Sequence, residues 1–224
     1  MSKNFVHSVI VGLAVAAAAF GCTQRVQASE ITETLAQVQL EKVYIERNTN
    51  TDVTEYGMGV ALPADYFMEV KHETNKHTAG VLGKSLQVSD DFTFVPSVEY
   101  GIFEGDNTDH ETYVQGIVEY MPFAKLYTYA GAGYSFMNEG QDYSKVKAGV
   151  SYELHPEMTV GYNYTRKGFH ERTDFDLNTP TSNEHEVAMT FTGHMIQPYV
   201  KMRHTVTTGV GYDNSAVLGA ALVF

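Results

Sequence analysis

The stretch SKVKAGVSYELHPEMTVGYNYT, residues 144–165, alternates apolar and polar side chains on both sides of a short turn. Before the turn, Val146 and Val150 belong to an apolar series at every second position, and after the turn Val160 and Tyr162 belong to a second such series. A period of two is that of a β-strand with one apolar face, and three connecting residues fit a hairpin. The stretch therefore predicts two adjacent antiparallel strands whose apolar faces lie on the same side.

The same alternation recurs along most of the chain, in runs of about 9–11 residues, the length of a tilted strand that crosses a bilayer. Five short turns alternate with six longer polar connections, as in bacterial outer-membrane barrels. We therefore predict an all-β fold, a closed antiparallel transmembrane β-barrel of about 12 strands, with both termini on the short-turn, periplasmic side. The strands are expected near 38–47, 53–62, 66–72, 79–88, 92–103, 111–120, 125–136, 143–154, 158–167, 184–192, 197–204 and 212–224.

Two of these strands have weak patterns, and without them the count falls to about 8–10. In 38–47, Leu40 lies out of phase with Val43 and Ile45. In 79–88, the apolar face includes Lys84. A lysine facing lipid at mid-membrane costs about 2–4 kcal/mol, so we expect a bulge or a position near the interface.

Residues 1–28 have the features of a cleaved export signal. Lys3 gives a positive start, the apolar run 9–21 is shorter than the about 20 residues of a membrane helix, and residues 26–28 read Val-Gln-Ala, a small-x-small cleavage pattern. We predict cleavage after Ala28, which leaves 29–224 as the barrel. Lipidation at Cys22 is the rival interpretation, and its surrounding sequence matches a lipoprotein box poorly.

Composition excludes several classes of function. The 224 residues carry 15 Lys+Arg against 27 Asp+Glu, a formal net charge of −12, which argues against nucleic acid as a partner. A single cysteine excludes an intramolecular disulfide framework and a cysteine-rich zinc site. The histidines form neither a His-Glu-x-x-His motif nor, after residue 28, a His-x-Ser arrangement. We therefore expect no metal, no cofactor and no enzymatic activity.

The last strand reads YDNSAVLGAALVF, residues 212–224, with apolar residues at every second position up to a terminal Phe. This pattern resembles the C-terminal signature of bacterial outer-membrane barrels. In that family the barrel assembly machinery reads the last strand, so the resemblance implies an assembly signal in Leu218, Ala220, Leu222 and Phe224. It also implies contact with outer-membrane lipid and lipopolysaccharide. A soluble, exported sandwich that happens to end in Phe is the alternative.

Opposite the apolar faces, the predicted strands carry charged residues that would line the lumen. These pore-lining candidates are Glu69, Lys71, Glu99, Glu119, Lys145, Lys147, Glu153, Lys167, Glu186, Lys201 and Arg203. They either pair and plug the barrel, or they line separate walls of a narrow wet pore. Aromatic residues near strand ends are expected in interfacial girdles, namely Phe92, Tyr100, Tyr120, Phe123, Tyr134, Phe136, Tyr143, Tyr164 and Tyr212.

The chain is also similar in outline to the oligogalacturonate-specific porins, small monomeric barrels of twelve strands with a terminal Phe. The segments NEHEVAMTF at 183–191 and QPYVKMRH at 197–204 look like late strands of that family. The resemblance implies that Lys145, Lys147, Lys201 and Arg203 bind passing carboxylates. That family's lumen is rich in arginine, whereas Arg203 is nearly alone here.

We therefore predict an outer-membrane porin for passive diffusion of small hydrophilic solutes, with acidic oligosaccharides implied by the resemblance. The alternatives are a closed barrel acting as an adhesin or structural protein and, less favoured, a lipid-modifying barrel enzyme. The longest connection, residues 168–183, is expected to be a flexible outer loop. An inward constriction or a surface epitope are its other interpretations.

Overall fold

The computed structural model describes residues 38–104, 109–170 and 180–224. The predicted signal segment 1–28, and most of the predicted loop 168–183, lie outside these ranges. No helix within the described ranges is long and apolar enough to cross a membrane.

The described chain is built from thirteen strand segments and the turns between them. Their bounds are β1 Gln39–Asn48, β2 Thr54–Leu62, β3 Tyr66–Glu73, β4 His77–Lys84, β5 Leu86–Gln87, β6 Phe92–Phe103, β7 Asp109–Phe123, β8 Leu126–Met137, β9 Asp142–His155, β10 Met158–His170, β11 Thr181–Phe191, β12 Ile196–Thr207 and β13 Gly211–Val223.

Antiparallel pairing joins these segments into a closed ring. Each strand from β6 to β13 pairs with the next, as do β1 to β4 among themselves. The ring closes because β1 pairs with β13, for example Ile45 with Ala220, and because β4 pairs with β6, for example Leu82 with Val98. The two-residue β5 pairs with β6 beyond Ser85 and continues the line of β4. The wall therefore has twelve strands, and the predicted closed barrel is confirmed.

The outer surface of the barrel is apolar, as the alternation predicted. Val146 and Val187 are each 52 % exposed, and Leu218 is 55 % exposed. Directly paired residues share a face of a sheet, so the register extends this outer face from strand to strand. The polar residues at the intervening positions consequently face the barrel axis.

A bulge explains the weak alternation of β1. The β1–β2 register shifts between Leu40 and Lys42, so that Leu40 pairs with Val60 while Lys42 pairs with Gly59. The extra residue, Glu41, returns Leu40 to the outer face that carries Val43. A bulge at this position cannot be read from the spacing alone.

Lys84 lies at the last position of β4, opposite Tyr66 at the first position of β3. Its ammonium group is 4.6 Å from the centre of the Tyr66 ring. Both residues adjoin the short turn 63–65, where the backbone of Ser85 donates to Asp65 at 2.8 Å. Lys84 therefore sits at the turn-side end of the wall and not at its middle, as the cost of burying a lysine in lipid requires.

Candidate functional site

The inward face of the barrel carries polar side chains whose contacts reach across intervening strands. Lys201 on β12 lies 2.6 Å from Glu46 on β1, although β13 runs between them. Tyr129 on β8 similarly donates to Asn163 on β10 at 3.1 Å, across β9. Such contacts form where side chains converge on the concave side of a curved sheet. We call this surface the lumen face.

Four charged residues form a continuous ionic belt on one side of the lumen face: Glu46, Lys201, Arg203 and Glu186. Arg203 donates from Nε to Glu186 at 2.6 Å, and the Nη2 atom of the same guanidinium lies 3.9 Å from a carboxylate oxygen of Glu46. Neither carboxylate is well solvated, since the Glu186 side chain is 10 % exposed and that of Glu46 14 % exposed. Each acid in the belt is therefore matched by a base within ion-pair distance.

The ionic belt is extended by neutral hydrogen-bond partners. Tyr199 donates to Glu46 at 3.0 Å, and Asn163 donates to Glu186 at 3.1 Å. The polar chain thus runs from Tyr129 on β8, through Asn163, to the belt. Because hydrogen bonds to charged groups are among the stronger ones, this chain rigidifies that part of the wall.

A second polar cluster lies on β1 to β3 and is dominated by acids. The Tyr44 hydroxyl lies 2.6 Å from Glu55 and 3.0 Å from Glu69. Lys42 pairs with Glu69 at 3.1 Å. On the neighbouring strands, Lys71 of β3 pairs with Glu99 of β6 at 2.6 Å.

The other wall of the lumen face carries lysines in a different environment. Lys145 and Lys147 on β9, and Lys167 on β10, form what we call the lysine wall. The Lys145 ammonium lies 4.1 Å from the Tyr113 ring centre, and Lys167 lies 5.2 Å from that of Tyr143. Within residues 38–104, 109–170 and 180–224, none of the three lysines forms an ion pair with a carboxylate.

Electrostatic interactions connect the lysine wall with the facing side of the barrel. Lys147 interacts with Glu99 and with Lys71, which are three and five strands away around the wall. Lys145 and Lys167 also interact with one another as like charges. The three ammonium groups therefore face the opposite wall without a direct carboxylate partner among the described residues.

The acid Glu111 and the turn-side rim complete the inward polar set. Glu111 accepts from Ser135 at 2.7 Å and also from Tyr143. Near the short turns, Tyr127 donates to Glu119 at 2.8 Å, and Lys125 lies 3.9 Å from Glu153.

The structure places all eleven sequence-predicted residues at inward positions, but it separates them into two kinds. Lys201, Arg203 and Lys71 have carboxylate partners, whereas the lysine wall does not among the described residues. The predicted role of Lys201 and Arg203 in holding passing carboxylates is therefore weakened by their pairing. Pore lining as a function remains a prediction for the whole set.

Sequence reasoning missed part of this face. It did not select Tyr44 and Glu46, although they alternate with Val43 and Ile45, because the bulge had obscured the phase of β1. It also assigned Tyr143 to an interfacial girdle, which is wrong. That ring lies on the lumen face, where it contacts Glu111, Lys145 and Lys167.

The predicted assembly residues lie in the C-terminal half of β13 and, for Phe224, directly after it. Leu218 and Leu222 are on the outer face, 55 % and 37 % exposed. Phe224 is 61 % exposed, and its backbone N–H donates to Glu41 at 3.0 Å. Their role in assembly stays a prediction.

The described histidines do not form a catalytic or metal-binding cluster. No group of three or more His, Cys, Asp or Glu side chains in the described part of the chain is arranged to hold a metal ion. His170 Nε2 lies 3.1 Å from Ser144 Oγ on the outer face, a contact invisible to a sequence motif. Among residues 38–104, 109–170 and 180–224, no carboxylate hydrogen-bonds to that histidine.

Replacing Arg203 with methionine is expected to lower the free energy of unfolding by about 2–4 kcal/mol. The change leaves Glu186 charged and poorly solvated, with Asn163 as its remaining donor among the described residues. Urea titration of the protein refolded into lipid vesicles measures this loss. The double variant R203M/E186Q removes both charges and should recover much of the stability. Equal losses in the single and double variants would show that an unpaired Glu186 is not the cause of the lost stability.

The fold has counterparts among solved structures, although no protein-family model and no curated protein sequence matches this chain. A NanC porin superimposes with a TM-score of 0.65 at 13 % identity, covering 83 % of this chain and 100 % of that one. A KdgM porin solved in complex with disordered oligogalacturonate superimposes with a TM-score of 0.61 at 11 % identity, covering 83 % of this chain and 99 % of that one. The chain therefore has the fold of small porin barrels of about its own described length.

Proposed function

We propose that this protein is an outer-membrane channel through which small hydrophilic solutes diffuse passively. The observation that supports the proposal most is the closed barrel with an apolar outer face and a charged inner face. Backbone polar groups cannot remain unpaired in hydrocarbon, and a ring of twelve paired strands leaves no edge. The outer face of the wall is therefore suited to contact with lipid, and its inner face is suited to contact with water.

The lumen face also favours a class of solute. The ionic belt satisfies its own charges, so it offers little net attraction to a passing ion. The lysine wall, in contrast, presents ammonium groups beside the Tyr113 and Tyr143 rings. A sugar acid has a carboxylate that can bind the ammonium groups and apolar ring faces that can pack on the tyrosine rings.

We therefore infer that acidic saccharides pass along the lysine wall. The likeness to a porin crystallised with oligogalacturonate agrees with this inference, although the likeness itself concerns the fold. Lysine replaces the guanidinium groups of the oligogalacturonate-specific porins in this role. Because an ammonium is a compact point charge without a bidentate fork, we expect weaker and less geometrically selective binding.

The cellular setting follows from the same proposal. Residues 1–28 would be removed on export, and both chain ends would lie in the periplasm, beside the short turns. The barrel assembly machinery would recognise the strand that ends at Phe224. No cofactor or catalytic step is needed for passive diffusion.

Solute efflux from proteoliposomes tests the proposed function. The refolded protein should release digalacturonate about as fast as, or faster than, a neutral disaccharide of the same size, because lumen charge raises the local concentration of the anion. Protein-free vesicles supply the baseline. Release of neither sugar above that baseline would contradict a channel and favour a closed barrel that acts through its surface. Hydrolysis of the vesicle lipid would instead indicate an enzyme.

A further inference from the structure

Histidines collect on the outer face of the barrel at its loop-side end. Five of the described histidines lie there at outward positions, and each contacts a Tyr, Ser, Thr or Asn side chain. They are His72, His110, His170, His185 and His204. At the opposite end, His155 and His194 lie beside short turns. The loop-side rim therefore carries more of the described histidines on its outer face than the short-turn rim does.

Two of these histidines belong to a continuous row across four strands. Tyr164 of β10 pairs with His185 of β11, which pairs with His204 of β12, which pairs with Asn214 of β13. The two imidazole ring centres are 6.4 Å apart. We call these four residues the imidazole row.

Each imidazole in the row has one nitrogen occupied. His185 Nδ1 lies 2.7 Å from the Tyr162 hydroxyl, and His204 Nδ1 lies 2.7 Å from Asn214 Oδ1. These contacts fix the orientation of both rings. The described residues supply no hydrogen-bond partner for either Nε2.

The charge around the row is basic. Arg166, two residues from Tyr164 on the same strand, is at an outward, exposed position opposite Asn183. Within the described parts of β10 to β13, the outward positions hold neither Asp nor Glu. The titratable or charged side chains that face the two imidazoles from the neighbouring strands are Tyr162, Tyr164, Arg166 and Tyr212.

We propose that the imidazole row, together with Arg166, binds a phosphate group on the headgroup of an outer-leaflet lipid. The inference rests on the proposed membrane location, because only then does the loop-side outer face meet lipid headgroups. Two imidazole N–H groups and a guanidinium are suitable donors for a phosphate. The row lies on the lipid-facing side, so the phosphate is presented by a lipid and not by a solute in the lumen.

Native mass spectrometry of the refolded, full barrel in detergent tests the site with lipid A that carries its phosphates. The variant H185Q/H204Q should bind this lipid about fivefold more weakly than the wild type, as for the loss of two partly exposed contacts to a charged group. The matched control H155Q/H194Q makes the same changes at the opposite rim and should bind like the wild type.

Two further arms identify the ligand. Lipid A stripped of its phosphates should bind with the reduced affinity of H185Q/H204Q, and inorganic phosphate should not displace the intact lipid. Equal binding of H185Q/H204Q and wild type, or equal binding of the two lipids, would overturn the proposal. Displacement of the lipid by inorganic phosphate would show that the site binds a free anion, and it would likewise overturn the proposal. Conductance of the same samples separates the proposals, since a lipid-binding barrel that never conducts would refute the channel alone.

Discussion

Valine at position 57 is expected to prevent most of the protein from folding. Gly57 lies directly opposite Tyr44 in the β1–β2 register, and the tyrosine ring lies over it on the lumen face. A Cβ at residue 57 would overlap the ring atoms, far inside the 3.0 Å that real Cβ contacts keep. The ring cannot shift without giving up its contacts with Glu55 and Glu69.

Overpacking and the lost hydrogen bonds together should lower the free energy of unfolding by about 3–5 kcal/mol. The folded fraction after refolding into vesicles, read from the heat-dependent gel mobility of the barrel, measures this effect. G80V is the matched control, because a Cβ at Gly80 meets no atom within 4 Å. Y44A/G57V removes the ring and should restore folding. Normal folding of G57V would show that the position of the Tyr44 ring does not depend on a glycine at residue 57.

Neutralising the lysine wall is expected to reverse the preference of the channel for anions. K145Q/K147Q/K167Q removes three positive charges from the inward face. The acids on the facing strands, including Glu55 and Glu69, then dominate the field in the lumen. The ratio of anion to cation permeability should fall about fivefold or more, by the rule that charged rings set selectivity.

The reversal potential across a bilayer with a salt gradient reports that ratio. K84Q is the control, because it removes one lysine from the turn-side end of the wall near the Tyr66 ring, away from the lumen. The triple variant should fold as the wild type does, since none of its lysines has a carboxylate partner among the described residues. An unchanged reversal potential in a correctly folded triple variant would refute the role of the lysine wall.

The sequence was sufficient to predict the faces of most strands. In β9, Val146 and Val150 point outward and Lys145 and Lys147 point inward, as their period of two required. The prediction of faces succeeds because each strand of an outer-membrane barrel has lipid on one side and a polar interior on the other. The phase fails only where a strand breaks its own alternation, as β1 does at the Leu40 bulge.

The electrostatic partners of the lumen face could not be predicted in the same way. Glu46 and Lys201 are 155 residues apart and are separated by a third strand. Their pairing depends on the combined register of β12, β13 and β1, which no local pattern encodes. For this reason Lys201 and Lys145 looked equivalent in sequence, whereas one is paired with an acid and the other lies against a tyrosine ring.

Aromatic residues show a similar limit. A tyrosine near a strand end suits both an interfacial girdle and a polar lumen, because one end of its side chain is apolar and the other hydrogen-bonds. Tyr134 contacts His170 on the outer face, whereas Tyr143 turns inward to Glu111. The two differ by strand phase and not by composition.

Single-channel recording from the wild-type protein in a planar bilayer tests the central claim most directly. A water-filled lumen beside the lysine wall predicts discrete, stable conductance steps and a reversal potential on the anion side under a salt gradient. A correctly folded barrel that inserts into the bilayer yet shows no conductance steps would contradict the account.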